Sequence, residues 1–135
     1  MIILSNSTEQ TLAPGQSMTF DTIVMHTGCA EGYRNNSGSV VLRARKAIYE
    51  CCIGANIGST TADTDAQLAI CLNGSPILET TMLQPTTTVG DLENVSRITG
   101  IRTDCNGGEY VTITNTGTTT ITIGAHPNLF IKREA

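Results

Sequence analysis

VTITNTGTTTITI, residues 111–123, is threonine and β-branched apolar residues around a short Asn-Thr-Gly insert, with no charge anywhere in it. Val111, Ile113, Ile121 and Ile123 occupy odd positions, and Thr112, Thr114, Thr120 and Thr122 even ones. That is the period-two pattern of strands with one buried face. Asn115, Thr116 and Gly117 supply turn residues, so the stretch reads as a β-hairpin with its four apolar side chains on one face. Threonine favours extended backbone and carries no charge to repel a neighbouring chain. The outer threonine face is therefore either a solvated surface or a packing surface.

Outside this stretch, turn residues recur about every dozen positions, the spacing of an all-β sandwich rather than of helices. Ile2 to Ser5 reads as a first strand, followed by Gln10 to Gln16 around the turn Ala13-Pro14-Gly15, and by Ser17 to Val24. Val40 to Ala44 follows, then AIYECCIGANI, residues 47–57, with Tyr49, Cys51, Ile53, Ala55 and Ile57 on one face. Ile48 and Cys52 make its other face apolar too, which places it centrally in a sheet. Leu68, Ile70 and Leu72 alternate up to Asn73-Gly74, a hairpin signal, and Pro76 to Leu83 continues beyond it. Val95 to Arg102 reads as a strand, Asp104 to Gly108 as a turn, and Leu129 to Lys132 as the closing strand. The stretches 27–37, 58–65 and 84–94 read as loops. Tyr49, Ile53, Leu68, Ile70, Leu72, Ile113, Ile121 and Phe130 are the expected core.

Composition narrows the function. A chain of 135 residues is one domain, 1–135. Charged residues make up 15%, below the roughly 25% typical of soluble domains, and there is no tryptophan. A net charge of -4 argues against a nucleic-acid partner, and the cluster Arg43, Arg45, Lys46 reads as a solvated strand end. MIILSNSTEQ has four apolar residues in a row and no basic flank, so neither a secretion signal nor a membrane anchor is expected there. Synthesis in a bacterial cytoplasm with release by lysis is the expectation that follows.

Candidate sites are sparse. Five cysteines without a CxxC pair do not read as a disulfide framework or a zinc site. Cys51, Cys52 and Cys71 lie in apolar strand patterns, while Cys29 and Cys105 lie in loops, where their pairing stays open. His26 precedes Cys29 by three residues, but no orienting carboxylate or oxyanion hole accompanies the pair, and His126 before Pro127 stands alone. Asp63, Asp65, Asp91 and Glu93 offer oxygen ligands to a hard cation, yet read equally as loop solubilisers. With only Phe20, Tyr33, Tyr49, Tyr110 and Phe130 as aromatics, a glycosidase cleft is not expected, and two separated histidines do not make a cupin metal site. No catalytic residue, cofactor or metal ligand is assigned.

Four segments carry a resemblance. NSTEQTLAPGQSMTFDTIV, with Asn6, Gln10, Ala13, Pro14, Gly15 and Phe20, resembles the opening of the C-terminal domain of the Bacillus exosporium glycoprotein BclA and its relatives. AIYECCIGANI is similar to their tyrosine-bearing central strand. QLAICLNGSPILETTM resembles their Asn-Gly hairpin through Leu72, Asn73, Gly74, Pro76, Ile77 and Thr80, and VTITNTGTTTITIGAHPNLFIKRE resembles their terminal hairpin and closing strand. The resemblance implies an all-β, two-sheet jelly-roll sandwich of the TNF/C1q type that assembles as a homotrimer. Similar domains in phages and prophages of Firmicutes resemble head-fibre and capsid-decoration proteins. The 135 residues hold no collagen-like Gly-X-Y repeat, a departure from the exosporium pattern.

The expectation is therefore a non-enzymatic structural protein of a virion, with a phage capsid protein or a bacterial surface glycan as further partners and no nucleic acid or membrane. The alternatives are a carbohydrate- or receptor-binding module acting through loops 27–37, 58–65 and 84–94, and a spore-surface protein.

Overall fold

Thirteen short strands, found among residues 1–34 and 36–135 of the computed structural model, build two antiparallel sheets. Asn35, inside the expected 27–37 loop, lies outside the described residues. In chain order the strands are β1 (Ile2–Ser5), β2 (Gln10–Leu12), β3 (Thr22–His26), β4 (Glu31–Tyr33), β5 (Val40–Leu42), β6 (Ile48–Ser59) and β7 (Thr64–Leu72). They continue with β8 (Ser75–Pro76), β9 (Met82–Thr86), β10 (Glu93–Arg102), β11 (Glu109–Thr114), β12 (Ile121–Ile123) and β13 (Asn128–Arg133). The first sheet runs β2-β12-β6-β13-β1-β3, with β10 also paired to β6. The second runs β4-β5-β11-β7-β8, with β9 also paired to β7.

The expected hairpin at 111–123 does not form. β11 pairs with β5 and β7 in the second sheet, whereas β12 pairs with β2 and β6 in the first. Val111, Ile113, Ile121 and Ile123 are all fully buried, but they enter the core from opposite sheets. Periodicity reports which face of a strand is buried and says nothing of which strand lies beside it. Asn115 makes the crossing. It is fully buried, its side-chain amide donates to Leu12 O (3.0 Å) and Thr119 O (2.9 Å), and its Oδ1 accepts from Gly117 N (3.0 Å). The threonines therefore share no single face: Thr112 and Thr114 form a hydroxyl chain on the second sheet, while Thr122 sits on the first beside Gly58 and Thr11.

β6 is central, as its two apolar faces led us to expect. β10 lies along one side of it from Ile48 to Ile57, and β13 and β12 share the other. Tyr49, Cys51, Ile53, Ala55 and Ile57 all point into the core. On the outward side Ile48 is exposed and Cys52 half-buried. Phe130 is not a core residue. β13 turns Leu129 and Ile131 inward, so Phe130 lies half-buried outside, opposite Ile3 and Cys52. Leu72 is half-buried and packs against the core's rim.

Three expected loops are shorter than read. Stretch 27–37 contains β4, stretch 58–65 leaves only 60–63 between β6 and β7, and stretch 84–94 leaves 87–92 between β9 and β10. The extended segment at 17–24 joins the sheets through one bridge, Ser17 to Thr114, before β3 begins at Thr22. Beyond Asn73-Gly74, whose φ angles of 53° and 82° make the expected tight turn, a 3-10 turn at Leu78–Thr80 interrupts the segment 76–83.

Cys51 and Cys71 are buried, and Cys29 and Cys105 are exposed and unlinked. Burial pushes the Cys51 thiol up to about 12, helped by its neighbour Cys52. Burial also raises Tyr49 and Tyr33. A folded-state pKa above the unfolded one stabilises fully below the unfolded value and ceases to do so as pH rises through the folded one. Stability to urea is therefore expected to hold up to about pH 9 and to fall as pH approaches 12, with Cys51→Ala flattening the decline; urea titrations across that range check it.

Candidate functional site

The outward face of the first sheet carries a continuous apolar row. Cross-strand register places Met25 opposite Ile3, Ile3 opposite Phe130, Phe130 opposite Cys52, and Cys52 opposite Ile98, so the row crosses β3, β1, β13, β6 and β10. It arises because Ile2, Leu4, Leu129, Ile131, Cys51 and Ile53 take the core side, which turns their sequence neighbours outward. Met25 is 45% and Ile98 62% exposed; Ile23, exposed as well, lies opposite the core residue Leu4 and so falls outside the row. Next to it Asn128, Gly54 and Ser96 form a low shelf in register, with open space above Gly54.

Two borders of this sheet, β3 and β10, have one edge without a strand partner among the described residues, and β10 buries only Ile101. All five residues of β3 are exposed, and β10 makes its ladder to β6 alone. Unpaired strand edges beside an apolar face are a surface that soluble proteins ordinarily cover.

The residues singled out as chemical candidates do not converge. His26 gives its Nε2 to the backbone oxygen of Glu31 (2.9 Å), and no hydrogen bond joins it to Cys29 among the described residues. His126 is exposed at a left-handed turn position, φ 66°. Stretches 58–65 and 84–94 do meet, at the ends of β6 and β9, through Asp63 N to Thr86 O (2.7 Å) and Ser59 N to Thr86 Oγ1 (2.9 Å). Among the described residues, however, no three His, Cys, Asp or Glu side chains are grouped to hold a metal ion. Loop 27–30 lies by the other end of β6, where Tyr49 Oη donates to Ala30 O (2.8 Å) and accepts from Ala44 N (3.1 Å). The twelve residues of β6 separate the two ends by about 35 Å, so the three expected recognition loops do not form one surface.

Gly58 shows how closely loop 87–92 seats on β6. A Cβ there would stand 2.7 Å from Asp91 O and 2.9 Å from Leu92 Cδ2. Gly58→Ala is expected to cost about 1–3 kcal/mol, because backbone must shift to admit the methyl group; the urea midpoint reads the loss.

The arrangement matches known folds. Over 97% of this chain and 98% of its counterpart, the structure is similar to the crystal structure of murine APRIL at pH 5.0, with a TM-score of 0.61 and 10% identity. It is also similar to the globular domain of zebrafish complement 1qA protein, over 96% of this chain and 94% of that one, with a TM-score of 0.57 and 10% identity. The fold is a TNF/C1q-like jelly roll. No family model and no curated protein matches the sequence.

Within this jelly roll, sequence reasoning missed two buried carboxylates. Glu31 is fully buried and pairs with the Met1 ammonium at 2.9 Å, and Glu109 is 7% exposed and accepts from Asp104 N (2.8 Å). Each has one oxygen without a hydrogen-bond partner among the described residues. Both lie opposite Leu42, on the core side of the second sheet. Glu31 was hidden by its setting in a polar stretch, and only the strand pairing reveals it.

Proposed function

We propose that this jelly roll is a non-enzymatic structural module that assembles as a homotrimer and decorates or projects from a phage or prophage particle. The carrying observation is the apolar row from Met25 to Ile98, bordered by two open strand edges. Five strands at a spacing of about 4.8 Å make it a strip about 20 Å wide, a size suited to a neighbouring subunit rather than to a small ligand. A second copy of the chain supplies small, uncharged β-surface to cover it. A closed ring of identical contacts leaves no free edge. The trimeric number and the virion setting rest on the resemblance to phage and exosporium domains described above.

Light scattering on the purified protein at micromolar concentration tests the assembly. Three chain masses are expected, and a single chain mass would overturn the reading. Co-sedimentation with purified capsids of the parent phage tests the setting. Binding to a glycan array without capsid binding would instead favour the recognition reading, which the meeting of stretches 58–65 and 84–94 at one end supports.

A further inference from the structure

The cations of this acidic chain are not spread over its surface. Arg43, Arg45 and Lys46 lie in the turn between β5 and β6, and the topology brings Arg102, Lys132 and Arg133 to the same end through the last residues of β10 and β13. All six are exposed. Lys132 contacts Glu134 at 3.9 Å and lies opposite Glu50, and Arg133 Nε donates to Ala135 O (3.3 Å); Arg43, Arg45, Lys46 and Arg102 have no carboxylate side chain within ion-pair distance among the described residues. Two of the acidic groups at this end, Glu31 and Glu109, are buried beneath the surface. A third, Asp104, spends its Oδ1 on Asn106 N (2.8 Å) and Gly107 N (3.3 Å).

The cations border two depressions on either side of the β5–β6 turn. One is lined by Cys29, Ala30, Arg43, Ala44 and Arg133, and the other by Lys46, Arg102, Thr103, Asp104 and Cys105. Arg45 runs over Gly107 between them and its stem covers the glycine. Arg43 also borders a third hollow with Arg34, Ser37 and Ser39. At the far end of β6, by contrast, loops 60–63 and 87–92 and their flanks carry Asp63, Asp65, Asp91 and Glu93 and no cation.

We propose that the Ile48 end of the sandwich binds a flexible, hydroxyl-rich polyanion, a chain of sugars or polyols bearing repeated carboxylates or phosphodiesters. Successive cation-flanked hollows suit anionic groups repeated along one strand, and the forks of Arg43, Arg45 and Arg102, free of carboxylate side chains among the described residues, match either oxyanion. Nucleic acid fits less well. Single-stranded binding relies on a platform of exposed rings, and Tyr110 is the only exposed aromatic among the described residues. The cations also form a cap at one end of a domain of net charge -4, not a groove along which a duplex could lie.

The test measures binding of the full chain, at low and at physiological salt, to alginate, to poly(glycerol phosphate), to neutral dextran and to a short DNA duplex. Binding to alginate or to poly(glycerol phosphate), with none to dextran, is expected, and the preferred polymer identifies the anionic group. Arg43→Ser with Arg133→Ser, and separately Lys46→Ser with Arg102→Ser, should each weaken it about fivefold to tenfold at low salt and reduce the salt dependence. Thr61→Glu with Thr88→Glu changes net charge equally at the opposite end and should leave binding close to the parent value. Light scattering on each variant separates a lost site from a lost assembly. Binding to neither polymer, equal weakening by the Thr61/Thr88 variant, or preference for DNA would each overturn the proposal.

Discussion

Asn115→Leu is expected to lower the unfolding free energy by about 3–5 kcal/mol, a large part of the roughly 5–15 kcal/mol that holds a domain of this size together. The residue is fully buried and its side chain satisfies three backbone groups, Leu12 O, Thr119 O and Gly117 N. Leucine fills a similar volume but leaves all three without partners, Leu12 O in a buried site and Thr119 O and Gly117 N in half-buried ones, at about 1–3 kcal/mol each before relaxation. The damage extends beyond one loop. Asn115 N donates to Gln16 O and its carbonyl accepts from Gly15 N, so the residue holds the 13–16 turn against the point where the chain changes sheets. Urea titration followed by far-ultraviolet circular dichroism should show a lower midpoint with an unchanged slope. Thr116→Ala, next to it, should stay within about 0.5 kcal/mol of the parent, since its hydroxyl holds only the half-buried Gln67 amide.

Ile98→Asp is expected to abolish the proposed trimer while leaving the subunit fold in place. Ile98 is 62% exposed in the single chain and touches none of the core, so a carboxylate there costs the isolated fold little. Once a second copy covers the row, the same carboxylate is buried against Cys52 and Phe130 with no cation in register, and each copy bears a penalty of about 3 kcal/mol or more. At micromolar concentration light scattering should then give a single chain mass, with the dichroism spectrum preserved. Ile98→Val keeps the surface apolar and should keep the trimer. A trimer that survived Ile98→Asp would place the contact on another face.

How much of this was legible beforehand is clearest in particular residues. The alternation of Val111, Ile113, Ile121 and Ile123 identified four core positions correctly, yet the hairpin drawn from it does not exist. Alternation is a property of one strand, while pairing depends on contacts far away in sequence, here Leu12 and Ser59 for β12 and Ile70 and Val40 for β11. Phe130 failed for a related reason. In a strand apolar at three successive positions, Leu129, Phe130 and Ile131, composition does not say which phase faces inward. The same ambiguity hid the apolar row, since every member of it is flanked by a residue that reads equally well as core or surface. Glu31 and the gathered cations were invisible because strand order, not spacing, buries the one and assembles the other.

The place of β13 has a consequence for biogenesis. It lies between β1 and β6, in the middle of the first sheet, yet it is the last strand of the domain in chain order. A nascent polypeptide that lacks it holds β1 and β6 apart, with two raw strand edges facing a gap and Ile2, Leu4, Cys51 and Ile53 open to water. Folding must therefore wait for residues 128–133 to be synthesised, and a ribosome stalled short of them would leave a sticky intermediate rather than a smaller stable domain.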